Sequence, residues 1–368
     1  MKEGFLNDKL IERKKQNAFR YLKLPDGKVD FCSNDYLGVV KNNLIQKDFD
    51  KSEWNVRELK HGSTGSRLLS GNYSLIKETE KQIASFHQAE SGLIFNSGYD
   101  ANIGLLSSIP QKGDTIVYDH LSHASLRDGI RLSFAKAFSF QHNDLYDLEK
   151  KLKHSSGNIF VVTESVFSMD GDEAPLIEMA TLCEKYNAHL IVDEAHATGV
   201  VGERGEGCVQ NLQLQHRMFV RIHTFGKALG CHGAIVLGSE MLMNYLINFA
   251  RSFIYTTALP ESSIGAIKKS YEIFPLLTEE RKHLNKLISQ FQNSKSRFSI
   301  YKSNTPIQIV EIPGNREVKT VADLLNQNNL DVRPILYPSV PKEKERLRIV
   351  LHSFNTEQEV ENLCRLLR

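Results

Sequence analysis

The sequence predicts an α/β fold: an open, mostly parallel sheet flanked by helices, followed by a smaller C-terminal α+β domain. Three observations carry that reading. First, a β-branched run, Asn158-Ile-Phe-Val-Val-Thr163, leads through Pro175 into a helical pattern ending at Tyr186, then returns as His189-Leu-Ile-Val-Asp193. Strand, helix and parallel strand make the βαβ unit of an open sheet. Second, Thr115-Ile-Val-Tyr118, Met218-Phe-Val-Arg-Ile222 and Ala234-Ile-Val-Leu237 are apolar enough to be buried on both faces, as strands between two helical layers are. Third, the texture changes after residue 280 to charged helices alternating with two isolated strands.

Taken in order, the first twenty residues place Leu6, Leu10, Ile11 and Phe19 among many charges. That spacing predicts an amphipathic helix lying on the body of the protein. In the βαβ unit, Leu176, Met179, Ala180 and Cys183 recur at helical spacing behind Pro175, a residue tolerated at a helix start. The C-terminal part reads as a helix over Glu279–Asn293, a strand at Ile307–Ile312, a helix over Val318–Leu325 and a strand at Arg346–Leu351. A last helix follows, capped by Asn355 or Thr356. The expected organisation is an N-terminal arm and start of the small domain over 1–40, a large domain over 41–280 and the small domain over 281–368.

Composition bounds the function. The 368 residues suffice for two or three units at about 150 residues each. Hydrophobic residues at 41% and charged residues at 24%, with 10 prolines and 23 glycines, argue against disordered, collagenous and low-complexity classes. Lys+Arg at 46 against Asp+Glu at 44 gives a net charge of +2, too balanced for a binder of nucleic-acid backbones. Five cysteines without a C-x-x-C pair suggest neither a disulfide framework nor structural zinc. The N-terminal segment lacks an apolar core of the signal-peptide type, and no run reaches the roughly 18 apolar residues of a membrane span. A cytoplasmic protein without membrane or nucleic-acid partners is expected.

In open α/β sheets ligands bind beyond the carboxyl ends of the strands. Two such ends carry chemistry: Asp193-Glu-Ala-His196, and His223-Thr-Phe-Gly-Lys227-Ala-Leu-Gly230. A Walker A loop would need glycine at 221 and Ser or Thr at 228, where the chain has Arg221 and Ala228. Gly202, Gly205 and Gly207 are in the wrong order for a dinucleotide fingerprint. A lysine and a carboxylate at neighbouring strand ends suit pyridoxal phosphate. Its aldehyde is held by a lysine amine, and its ring nitrogen stays protonated beside an acid. Lys227 and Asp193 are that pair, with the Thr224 hydroxyl available to the phosphate. Asn96-Ser-Gly98-Tyr99 precedes a helical pattern, so the backbone N–H groups of Gly98 and Tyr99 suit a phosphate, although a plain turn would look the same. His120 and His123 lack a third ligand at zinc spacing, and no metal is expected.

Together these segments resemble the α-oxoamine synthase family of fold-type I pyridoxal-phosphate enzymes. The resemblance rests on Ser33-Asn-Asp-Tyr-Leu-Gly38, His61-Gly-Ser-Thr-Gly-Ser-Arg67, Phe95-Asn-Ser-Gly-Tyr99 and Asp119-His-Leu-Ser-His-Ala-Ser125. It continues through Thr163-Glu-Ser-Val-Phe-Ser-Met-Asp-Gly171, Asp193-Glu-Ala-His-Ala-Thr-Gly199, Thr224-Phe-Gly-Lys-Ala-Leu-Gly230 and Tyr255-Thr-Thr-Ala-Leu-Pro260. The resemblance implies a seven-stranded central sheet and a homodimer with active sites at its interface.

It also implies roles residue by residue. His123 stacks on the cofactor ring and acts on the substrate as acid, His196 bonds the cofactor phenolate oxygen, and Ser168 lines the same site. Thr256 and Thr257 reach the phosphate from the neighbouring subunit. Asn34 and Arg348 lie near the amino-acid carboxylate. Arg20 stands against the distal end of the acyl substrate, and Ser339 stands where threonine is usual. Leu336 and Tyr337 depart from the Arg-Pro found in many relatives, which puts acyl contacts there in doubt. The implied reaction joins L-alanine to a pimeloyl thioester of coenzyme A or acyl carrier protein, with loss of carbon dioxide, on the route to biotin. Glycine C-acetyltransferase, serine palmitoyltransferase and 5-aminolevulinate synthase chemistries share the centre and remain alternatives at this stage, as does a non-catalytic scaffold.

Overall fold

The apolar runs assemble into one seven-stranded sheet in a computed structural model that describes residues 3–24, 26–50 and 58–368. Its strands are β1 (Ser91–Phe95), β2 (Thr115–Asp119), β3 (Lys136–Phe140), β4 (Ile159–Glu164), β5 (Ala188–Asp193), β6 (Val220–Thr224) and β7 (Ala234–Gly238). They lie in the order β1-β7-β6-β5-β4-β2-β3. All neighbouring pairs are parallel except those of β7, which runs antiparallel to both β1 and β6. Every residue of β4 is buried, which accounts for its continuous apolar run. Helices cover the sheet, and Leu105 and Leu106 of the helix Gly98–Ser108 pack with Ile116, Val162, Ile191 and Ile222 from four strands.

The chain divides into two compact units. The larger holds this sheet and spans Leu37–Ser168 and Glu173–Glu279; the smaller gathers Met1–Tyr36, Met169–Asp172 and Glu280–Arg368. The smaller unit contains a four-stranded sheet in the order Arg333–Ile335, Arg346–Val350, Ile307–Glu311, Ser299–Ile300, and a parallel pair, Val29–Asp30 with Leu330–Asp331. Its last helix, Glu357–Leu367, starts with a capping box: Thr356 Oγ1 accepts from Glu359 N at 3.2 Å, and the Glu359 carboxylate accepts from Thr356 N at 2.7 Å. Of the two expected caps, Thr356 is the one used.

The N-terminal helix, Gly4–Lys15, corrects one expectation. Every residue in it is exposed, with Leu6 at 48%, Leu10 at 49% and Ile11 at 39%. Its apolar residues therefore do not lie on the body of this unit; charges dilute them too heavily to drive packing. No helix among the described residues is long and apolar enough to cross a membrane. The five cysteines are free thiols, three of them buried.

Candidate active site

The register of β4 and β5 sets Glu164 directly beside Asp193 at the carboxyl ends of the two strands. Both side chains are buried. Asp193 Oδ1 accepts from the backbone N of Ala195 at 2.9 Å, and Oδ2 accepts from Asn102 Nδ2 at 2.8 Å. The second Asn102 hydrogen goes to Ser125 Oγ at 3.0 Å. Asn102 Oδ1, also buried, finds no donor among the described residues. Turning the amide over would bring that oxygen against the carboxylate, so the carboxylate sets the orientation.

His123 caps the helix Ala124–Leu132, its Nδ1 accepting from Ser125 N at 3.2 Å and lying 2.7 Å from Ser125 Oγ. Since Ser125 Oγ already accepts from Asn102, its own hydrogen points to His123 Nδ1. The ring is thereby held as the tautomer with its proton on Nε2. The His123 side chain is solvent-exposed, yet the atoms packed around its ring desolvate it and, with the Lys227 cation acting more weakly, lower its pKa against the opposing pull of Asp193. The neutral ring is favoured. One hydrogen-bonded chain thus runs Asp193, Asn102, Ser125, His123, and it ends on Glu164, whose Oε1 accepts from His123 N at 2.6 Å. Burial and the neighbouring Asp193 push the Glu164 pKa up to about 8.

Lys227 follows β6, half-buried on the turn after Thr224. That strand end is anchored from below: His223 Nδ1 lies 2.8 Å from Thr198 Oγ1, and the His223 ring packs on His87 with centroids 3.9 Å apart. His196, three residues beyond Asp193, is buried on the turn that follows β5. The adjacent Glu194 has a different task. Its carboxylate accepts from Cys208 N, Val209 N and Ser165 Oγ at 2.7–3.0 Å, fixing the loop that follows.

Gly98 and Tyr99 are the first two residues of a helix rather than part of a loop. Ser97 caps it, accepting from Asp100 N at 3.0 Å, and the first backbone bond of the helix comes from Ala101 N. The amides of Gly98 and Tyr99 therefore lie ahead of the intrahelical ladder, where an anion binds. A Cβ placed on Gly98 would stand 3.6 Å from Thr224 Oγ1, so helix start and threonine hydroxyl share one corner that a side chain would narrow. The Tyr99 hydroxyl donates to Asp128 at 2.5 Å. Asn96 Nδ2 donates to Thr256 Oγ1 at 2.9 Å and to the Thr257 carbonyl at 2.8 Å, joining that segment to the same loop within the chain. Ser168 is half-buried at the last residue of its stretch of the larger unit.

Within the smaller unit two further pairs form. Arg348 Nη2 donates to Asn34 Oδ1 at 3.0 Å, and the Tyr36 hydroxyl donates to the same oxygen at 3.1 Å. Arg20 Nη2 donates to Ser339 Oγ at 2.6 Å, both residues exposed. They border a cavity of about 680 Å³ whose wall includes Phe19, Tyr21, Leu336 and Tyr337. Among the described residues no cluster of three or more His, Cys, Asp or Glu side chains is arranged to hold a metal ion.

This corner suits pyridoxal phosphate. A phosphate would meet helix amides and a hydroxyl, a ring nitrogen would meet a buried carboxylate, and a lysine follows the next strand. The comparisons agree. The model of the class I and II aminotransferases matches residues 26–367. The chain is 43% identical to 8-amino-7-oxononanoate synthase of Emericella nidulans, over 97% of this chain and 91% of that one. The crystal structure of 8-amino-7-oxononanoate synthase from Francisella tularensis superposes with a TM-score of 0.76 at 29% identity, covering 93% of this chain and 97% of that one. Serine palmitoyltransferase from S. paucimobilis shares the fold, with a TM-score of 0.88 at 23% identity over 100% of this chain and 96% of that one. The chain belongs to the class I and II aminotransferase family and, within it, to the α-oxoamine synthases of fold type I. Pyridoxal phosphate is the cofactor of these enzymes.

Sequence reasoning named Lys227, Asp193, Thr224, Gly98 and His123, and it missed Asn102, Ser125 and Glu164. One of those carried a usable signal: Glu164 is a second carboxylate at a strand end.

Proposed function

We propose that the chain condenses L-alanine with a pimeloyl thioester of coenzyme A or acyl carrier protein. The products are 8-amino-7-oxononanoate, carbon dioxide and the free thiol carrier. The observation that carries the chemistry is the buried Asp193 carboxylate, oriented by Asn102 one strand away from the end that bears Lys227. The choice of alanine and of a pimeloyl group rests on the relatives named 8-amino-7-oxononanoate synthase.

Bound pyridoxal phosphate supplies an aldehyde carbon and an electron-withdrawing ring that acidifies the substrate Cα–H. Everything else falls to the chain. Lys227 Nζ would hold the cofactor and, as a free amine, would take the substrate Cα proton as general base. Asp193, with a donor on each oxygen, keeps its negative charge and holds the proton of the ring nitrogen. His123 presents Nε2–H as a hydrogen-bond donor and acid toward the substrate. Gly98, Tyr99 and Thr224 take the phosphate, Thr256 and Thr257 reach it from the neighbouring subunit, and Ser168 and His196 line the ring. Arg348 and Asn34 take the amino-acid carboxylate, the guanidinium by its planar fork. Arg20 and Ser339 take the far end of the acyl chain. The reading includes a cytoplasmic homodimer, supported by family membership and by the free cysteines.

The test is a visible absorption spectrum of the purified protein with L-alanine, glycine or L-serine added separately. A lysine-bound cofactor band that borohydride abolishes, and that alanine perturbs at the lowest concentration, supports the reading. Perturbation by glycine or serine at lower concentration would transfer it to another branch, and no band after adding pyridoxal phosphate would end it.

A further inference from the structure

We propose that Glu164 is a positioning residue that works with its carboxyl protonated, fixing the His123 peptide while leaving the negative charge of the corner to Asp193. The inference rests on the function proposed above for its kinetic consequences and on geometry alone for its proton.

Glu164 and Asp193 are register partners on adjacent parallel strands, so their side chains leave the same face of the sheet side by side. Both are buried. Two carboxylates held this way in a poorly polarisable interior do not both ionise, and the proton stays where the anion is least well solvated. The donors decide which one that is. Asp193 accepts two N–H groups, from Ala195 and Asn102, whereas Glu164 accepts one, from His123.

The remaining charges facing Glu164 come from three elements: Lys227 after β6, which opposes protonation, and Asp193 on β5 and Asp119 at the end of β2, which favour it. Asp119 is committed to Leu121 N, Asn143 N and His142, so it is not a donor to Glu164. His123 contributes its backbone amide, and its ring is turned to Ser125.

The consequence is mechanical and electrostatic. Glu164 Oε1 pins the first turn of the helix Ala124–Leu132, and with it the His123 ring, without adding a second negative charge next to Asp193. Ionised, Glu164 would hold a proton on Lys227 and oppose its action as a base. Wild-type turnover should therefore decline as pH rises through about 8, and a glutamine at 164 should remove that decline.

Infrared spectroscopy of the holoenzyme reads the proton directly. A buried carboxylic-acid carbonyl band present at pH about 6, lost at pH about 10 and missing in Glu164→Gln at both is the expected result. Absence of such a band from the wild type at the lower pH overturns the proposal, whatever the reaction turns out to be. In kinetics, Glu164→Gln should exceed Glu164→Ala in kcat by roughly tenfold and lack the alkaline decline, with KM for the amino acid within about threefold of wild type in both. A glutamine variant as slow as the alanine one, or one sharing the wild-type alkaline limb, contradicts it. Should the alanine variant fail to fold, the infrared band and the glutamine pH profile still decide.

Discussion

The cofactor corner of the larger unit and the polar pairs of the smaller unit hold their side chains in opposite ways. In the corner, Asp193, Asn102, Ser125 and Glu164 are all buried, and hydrogen bonds link them in one chain through His123. Arg20 and Ser339 are exposed, and Asn34 and Arg348 are only half-buried. A buried network is rigid because losing any partner strands the next one without water to replace it. A solvent-facing pair loses little, since water substitutes at either end. The side chains of the larger unit's corner are thus oriented before any ligand arrives, whereas the smaller unit's pairs are held only loosely.

Breaking the corner should therefore cost turnover, and breaking the exposed pair should cost affinity. The largest effect is expected at Lys227→Ala, with kcat down by roughly 10³-fold and no borohydride-stable cofactor label on the protein. Asp193→Asn should follow with a loss of roughly 10²-fold in kcat, since the charge opposite the ring nitrogen disappears while the shape is kept. Asn102→Ala removes one donor from Asp193 and one from Ser125. Urea denaturation should show about 1–3 kcal/mol of lost stability, and kcat should fall roughly tenfold. If Asn102→Ala left both quantities at wild-type values, the corner would not be a coupled hydrogen-bonded network.

Arg20→Ala sharpens the other half of the comparison. KM for the acyl thioester should rise roughly tenfold while stability moves by no more than about 0.5 kcal/mol; a large stability loss would show that Arg20 is structural. The smallest effect is a pH dependence of stability. The folded pKa of Glu164, at about 8, stands above its ordinary value of 4.5. Folding therefore retains a proton, and the contribution is complete below pH 4.5 and lost as pH rises through about 8. Melting temperatures across that window should fall further for wild type than for Glu164→Gln.

Much of this was legible in the sequence because burial on both faces writes a continuous apolar run. β4 and β5 were found within a residue of their ends for that reason. β3 was missed because Lys136–Phe140 is an edge strand, exposed over four of its five residues, and its sequence lacks such a run. The antiparallel direction of β7 is set by its neighbours and leaves no mark in Ala234–Gly238. In the site, Lys227 and Asp193 were legible because strand ends are where chemistry collects. Asn102 was not, since its partner lies 91 residues away along the chain and only the packed helix brings them together. Ser125 falls within a motif already singled out, but its role depends on the capping geometry of His123, which the sequence does not spell.

The chemistry proposed for this corner is a decarboxylative condensation selective for alanine. The most direct measurement is carbon dioxide release from carboxyl-labelled L-alanine, glycine and L-serine in parallel, each with a pimeloyl thioester and with thioester omitted. Release should require both substrates, be fastest with alanine and vanish in Lys227→Ala. Release without the thioester, or faster release from glycine or serine, would contradict it.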